Sequence, residues 1–404
     1  MFYYLLGHIK SKRLNPKAPR RILPTIIFAQ FAGTSLWFAG NAILKDLQID
    51  WQLPSDALAS ITSAVQLGFI LGTFLFALLS VADRFKPSRV FFVCAIIGAL
   101  LNVSITIIPP SYFLLLATRF LTGLFLAGIY PVGMKIASDW YGGKLGKALG
   151  YLVGALVIGT AIPHLINYSG SQLSWTYVLI TTSLLAIIGG LSMLLLVDDG
   201  PFRKIRSKFS PRQVKTVFKN KAFRSAAFGY FGHMWELYTF WAFVPVILHY
   251  YNVTQQQQIN VSLWSFIVIG VGAIASALGG IYSIKYGSAK SAFVFLLISG
   301  ICCLLSPLFF ELPPVAFLLL LTLWGFAVVG DSAQFSSLNA QTAPPQLIGT
   351  ALTIVVSIGF LITIPSIQLL SYLDSIMETK WIFLVLIIGP LFGLINTQFL
   401  LKKK

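Results

Sequence analysis

Apolar runs of about twenty residues or more recur along this chain from Arg21 to the C-terminus, separated by short polar or basic stretches. A helix rises 1.5 Å per residue and needs about 20 mostly apolar residues to cross a hydrocarbon core. Each run therefore predicts one membrane-spanning helix. Twelve are predicted, over 21–44, 56–80, 89–108, 112–138, 146–168, 173–197, 224–250, 259–284, 290–310, 314–342, 349–373 and 380–400. The expected fold class is an all-α membrane protein with twelve transmembrane helices. The segment Arg21 to Leu44 is too long for the apolar core of a signal peptide and lacks a small-residue cleavage site, so it is expected to remain as the first span.

Composition agrees with this pattern. The chain is 57% hydrophobic and 10% charged, with a mean hydropathy of +0.83, which lies outside the range of soluble domains. A net charge of +17 invites a nucleic-acid partner, but the position of the charge argues against one. With the N-terminus inside, 25 of the 29 Lys and Arg residues fall in cytoplasmic segments, leaving Lys45 and Lys380 outside and Arg119 and Lys135 within a span. This is the positive-inside pattern, and the anionic inner leaflet suffices as the partner of the basic loops. Both termini are expected in the cytoplasm of a bacterium, across its inner membrane, with membrane lipid and no nucleic acid as surroundings. Cys94, Cys302 and Cys303 lie in apolar spans without metal-ligand spacing, so no metal site and no cofactor are expected. There is no Walker A loop, His-Glu-x-x-His pair or nucleophile elbow, which disfavours ATP-driven transport and enzymatic chemistry alike.

The longest polar stretch separates two halves. The expected division is a cytoplasmic N-terminal segment (1–20), a six-helix bundle (21–197), a basic linker (198–223), a second six-helix bundle (224–400) and a tail (401–404). The halves also repeat. Arg84 to Arg89 and Lys285 to Lys290 stand 201 residues apart, Pro109-Pro110 and Pro313-Pro314 stand 204 apart, Gly146 and Gly349 are separated by 203, and Pro163 and Pro365 by 202. Such a constant offset predicts two pseudo-symmetric bundles.

Several residues resemble the major facilitator superfamily of secondary transporters. Ser80-Val-Ala-Asp83-Arg84-Phe-Lys-Pro-Ser-Arg89 is similar to that family's loop motif between spans two and three, with Ser80 in place of its first glycine. Gly280 to Lys290 keeps the glycines and loses the aspartate. Arg119-Phe-Leu-Thr-Gly123 resembles the fourth-span motif, which implies a role for Arg119 in proton coupling, against a structural salt bridge or backbone contact. The stretches Ser35 to Gly40 and Gly229 to Glu236 look like bacterial carriers loosely grouped with nitrate and cyanate transporters, but spans two and eight lack the arginines that nitrate would require.

The resemblance implies that spans one, four, seven and ten line the cavity, and these hold the candidate residues. Gln30, Thr34, Trp37 and Asn41 fall at helical spacing on one face of span one, and with Tyr130, Tyr238, Trp241 and Gln334 they are the expected substrate-binding set; helix packing is the alternative for the stripe. Glu236 lies near the bilayer centre with His233 one turn away, and Asp331 lies in Gly330 to Gln341, the most polar stretch of any predicted helix. A charged, unpaired carboxylate there costs several kcal/mol. Glu236 and Asp331, with His233 and Arg119, are therefore the expected proton-coupling groups, the alternative being permanent hydrogen-bonded pairs. Asp83, Arg84, Arg89, Lys285 and Lys290 sit at span ends, where inter-bundle gating is expected. Together these residues predict a monomeric, proton-coupled carrier of a small polar metabolite working by alternating access. The alternatives are proton-antiport efflux of drugs or metabolites and, less favoured, metal-ion transport.

Overall fold

The computed structural model describes residues 18–141, 145–203 and 214–401. Residues 1–17 of the N-terminal segment, 142–144, 204–213 of the linker and 402–404 of the tail lie outside them, as do the side chains of residues 145–147, 214 and 345. The protein is an all-α, multi-pass membrane protein with twelve transmembrane helices in two pseudo-symmetric bundles.

Ten helices are long and apolar enough to span: Ala57–Leu78, Pro87–Ser104, Tyr112–Tyr141, Ala148–Ser169 and Thr176–Leu196 in the first half, then Val261–Tyr286, Ser288–Phe309, Pro314–Thr342, Ile348–Asp374 and Thr379–Leu401 in the second. Each half gains a leading pass of different character. The seventh span is a single helix, Lys221–Thr254, of 34 residues, rich in Tyr, Trp and Phe. The first is broken: Ile22–Thr34 stops, and the chain resumes as the short helices Ala39–Ala42 and Leu44–Asp50. The predicted 21–44 helix is thus corrected to a broken pass running to Asp50.

Within the first bundle, span one packs on five and six, span two on four, and span three on six. The second bundle repeats this, with span seven on twelve, eight on ten and nine on twelve. The bundles meet along two seams, span two against eleven and span five against eight. Equivalent contacts use equivalent glycines. A Cβ on Gly123 would lie 2.0 Å from the carbonyl oxygen of Val65, and one on Gly325 would lie 2.0 Å from that of Val268. Lipid gives little hydrophobic drive between helices, so such backbone-to-backbone approach supplies the packing energy.

The loop between spans two and three turns on Ser80, whose φ is 52°. This left-handed conformation favours glycine, so the position keeps the turn of the resembling motif without its residue. In the second half the corresponding loop turns at Gly287, with φ 84°.

Gly123→Ala and Gly325→Ala are each expected to lower stability by about 1–3 kcal/mol, because a methyl cannot be seated without separating the helix pair. Thermal unfolding of the detergent-purified protein measures this. Gly280→Ala, where a Cβ meets nothing within 4 Å, is expected to be neutral or slightly stabilising.

Candidate functional site

Three groups of side chains occupy the membrane interior and a fourth lies at the span ends; the first explains the broken span. Thr34 donates to the carbonyl of Gln30 at 2.8 Å, and Ser35 to that of Ala32 at 2.7 Å. These hydroxyls compete with the backbone ladder and loosen the helix. Arg119 on span four, fully buried, then donates through Nη2 to the carbonyls of Leu36 at 2.9 Å and Trp37 at 2.6 Å. Its Nη1 donates to Asn102 Oδ1 at 3.1 Å, and Asn102 in turn donates to Thr182 at 3.1 Å and Ser183 at 3.0 Å on span six. Four spans are tied through one guanidinium. Gly40 gives it room, since a Cβ there would approach Arg119 Nε to 3.1 Å.

The break divides the predicted stripe on span one. Gln30 faces Gly133 on span four, and Thr34 faces Gly159 on span five. Asn41 donates to Thr62 on span two at 2.7 Å. Trp37 alone of the four enters the seam between bundles, where Phe69, Tyr238 and Phe360 surround it at 4.8, 5.7 and 5.6 Å between ring centroids. Phe38 and Trp241 complete this aromatic cluster, 6.3 Å apart and edge-on.

Below the cluster, a cavity of about 30 Å³ runs between the bundles, with Tyr130, Tyr230, Tyr238, Trp241, Ser332 and Phe360 in its wall. That holds a water or two, not a metabolite. Three of the predicted substrate residues, Tyr130, Tyr238 and Trp241, line it. Gln334 lies behind, buried beside Gly279 of span eight. On the side away from the termini the seams are closed: Gln368 donates to Ser63 at 3.0 Å and Asn167 to Ser262 at 3.2 Å, linking spans eleven to two and five to eight. On the opposite side, a cavity of about 160 Å³ opens among spans two, four and eleven.

The third group is acidic and belongs to the second bundle. Glu236 is buried, and its Oε1 accepts from Ser299 Oγ, from Trp324 Nε1 at 2.7 Å and from Cys303 Sγ at 3.1 Å. It is joined to spans nine and ten, not to His233. His233 points instead to span ten, with Nδ1 2.8 Å from Asp331 Oδ1, both residues 1% exposed. Neither His233 Nε2 nor Asp331 Oδ2 has a hydrogen-bond partner among the described residues. Asp331 sits between the helices Pro314–Gly330 and Ser332–Thr342, and its neighbour Ser332 is in the cavity wall. Among the described residues, no group of three or more His, Cys, Asp or Glu converges as a metal site would require.

The last group lies at the span ends. Lys135 pairs with Asp83 at 3.3 Å and Asp139 at 3.1 Å, all in the first bundle. Lys285 and Lys290 lie over the Tyr286 ring at 5.1 and 5.3 Å. Arg84 and Arg89 flank the turn after span two. Gln66 and Phe69 on span two, Phe360 on span eleven, Ser299 on span nine and Asn102 on span three fall outside the four spans expected to line the cavity. Trp324 lies on span ten, where its apolar ring gives no sequence signal of the bond it makes to Glu236.

Residues 23–367 match the family model described as Major Facilitator Superfamily. A niacin/nicotinamide transporter described as putative, NiaP of Bacillus subtilis (strain 168), is 29% identical over 171 residues, 41% of either chain. Among solved structures, nucleoside transporter NupG superposes with a TM-score of 0.70 at 16% identity, covering 94% of this chain and 100% of that one. The human organic anion transporter MFSD10 gives 0.71 at 14%, with 94% and 100% coverage, and a bacterial homologue of the lysosomal transporter Spinster, inward-facing and unoccupied, gives 0.68 at 14%, with 93% and 96%.

Arg119→Met is expected to cost about 3 kcal/mol or more, since it leaves the carbonyls of Leu36 and Trp37 and the oxygen of Asn102 without a donor in a medium that supplies none. Arg119→Lys, with a single ammonium for three acceptors, is expected to recover part of that loss. Thermal unfolding in detergent compares the three proteins.

Proposed function

Because this chain belongs to the Major Facilitator Superfamily, we propose that it is a proton-coupled carrier of a small polar metabolite, with substrate held in the seam between bundles and the proton handled at Asp331 and His233. Membership itself makes the protein a transporter of small molecules and not an enzyme. The finer reading rests on one observation: the buried His233–Asp331 pair at the break in span ten, one residue from the cavity wall.

A buried carboxylate is expensive at this depth, and one that only glued helices would be expected to have all its oxygens served. Glu236 approaches that description, with three donors on one oxygen. Asp331 does not. Protonation of Asp331 removes its attraction for His233 and so loosens the tie between spans seven and ten. Both spans wall the cavity, so a proton taken up there changes the shape offered to substrate. In this reading Arg119 positions Trp37 by clamping its carbonyl, and Glu236 holds spans seven, nine and ten together. Asp83 and Lys135 stabilise the end of the first bundle. In this reading the basic loops favour cytoplasmic termini, and the protein works as a monomer in a lipid inner membrane. Niacin, nicotinamide and nucleosides, named for the relatives, are solutes of the expected size and polarity.

The test is uptake of nicotinate, nicotinamide and uridine into proteoliposomes with and without an imposed pH gradient. The wild type is expected to show uptake of one of them that rises with the gradient. Asp331→Asn is expected to abolish that rise while leaving exchange down a substrate gradient. Glu236→Gln, which keeps an acceptor oxygen, is expected to retain it. A gradient response in Asp331→Asn equal to that of the wild type would show the coupling assignment to be wrong.

A further inference from the structure

The seam between bundles contains hydrogen-bonding groups that the fold leaves unused. Among the described residues, Trp37 Nε1 and Trp241 Nε1 are buried without partners, and so are both amide atoms of Gln66. These residues are 1%, 0% and 0% exposed, and they come from spans one, seven and two. Gln66 belongs to the same layer. It lies one turn from Thr62, which accepts from Asn41, and three residues from Phe69, whose ring packs 4.8 Å from that of Trp37. A buried indole N–H normally finds an acceptor, and an unpaired amide away from water costs free energy. Several such groups in one layer describe the complement of a ligand.

The surrounding surface specifies the ligand's shape. Trp37, Tyr238, Trp241 and Phe360 present rings from both bundles, with Tyr238 at 5.0 Å from Phe360 and 5.3 Å from Trp241. A saturated, hydroxyl-rich solute would bury its polar groups against these faces, whereas a flat ring can stack between them. Arg119, which reaches the carbonyl of Trp37, has both terminal nitrogens engaged by carbonyls and by Asn102.

We infer that the seam takes a planar heteroaromatic solute, stacked among these rings as the bundles part, with edge acceptors for the two indole N–H groups and an amide or ring-nitrogen edge for Gln66. This rests on the seam being the substrate site. It adds the class of substrate and names Gln66 as a specificity residue.

Uncharged, matched flat and saturated pairs test it: 2-pyridone against 2-piperidone, and uracil against dihydrouracil. The purified full-length protein is titrated with each, following the ligand-dependent rise in melting temperature. At least one flat member is expected to bind tenfold or more tightly than its saturated counterpart. Trp37→Phe and Trp241→Phe keep a ring and lose the N–H; each, and Gln66→Leu, is expected to weaken that binding about tenfold. Without ligand, Gln66→Leu, which removes the unpaired amide at similar size, is expected to melt at or above the wild-type temperature; a purely structural role for the amide would lower it. Equal binding of flat and saturated members, no binding by any flat member, or unaltered affinity in all three variants overturns the inference. The gradient response of Asp331→Asn does not enter this measurement, so the two readings fail separately.

Discussion

Hydrocarbon offers a peptide group no hydrogen-bond partner, so a helix that breaks inside a membrane must find one within the protein. That constraint is met here by Arg119. Span one stops at Thr34, and the carbonyls of Leu36 and Trp37 are taken by one guanidinium from span four. Because the break turns the chain, Trp37 and Phe38 reach the seam and meet rings of spans two, seven and eleven. The aromatic closure of the seam thus depends on an arginine that does not touch it. A charge without an acidic partner would be unfavourable here, but three oxygen dipoles held at fixed positions substitute for a counter-ion.

Close approach is the second requirement, and it explains why the two halves look alike in packing and differ in polarity. Gly123 and Gly325 admit a neighbouring backbone carbonyl at equivalent places. Packing of this kind depends on the absence of a side chain and survives sequence change as long as the glycine does. The polar interior has no such need for symmetry. The first bundle holds a buried cation near the break of span one, and the second holds Glu236, His233 and Asp331 around the break of span ten. Nicked helices appear in both, but an arginine lies beside the first break and acidic residues beside the second.

The architecture was legible because it is written in periodic features: apolar runs of membrane length, loops with the same sign of charge, and a constant offset between halves. Span count needs nothing finer. The break in span one was not legible, since Gln30, Thr34, Trp37 and Asn41 fit an uninterrupted helix by spacing, and only the side chain of Arg119, far along the chain, decides otherwise. The same holds for the pairing of the acids. His233 and Glu236 are neighbours on one helix, yet the structure directs them to different spans, because Trp324, Ser299 and Cys303 together offer Glu236 what a single imidazole could not. Local spacing identifies which groups are buried; their partners are set by contacts between spans.

Gln66 marks the sharper limit. A lone glutamine in an apolar span gives no periodic signal, and its own helix lies outside the four expected to line a cavity. What distinguishes it is a negative property, two buried amide atoms without partners among the described residues, in the layer where the indole N–H groups of Trp37 and Trp241 also lack them. Thr62, one turn away, is both donor and acceptor in such bonds. Since a leucine of similar size would pack there without leaving polar atoms unserved, the glutamine's presence has a cost that the closed seam does not recover. The cost is recovered only when something enters the seam. Stability and selectivity then pull in opposite directions at one residue, as expected where a fold reserves hydrogen bonds for a molecule that is present for part of the cycle.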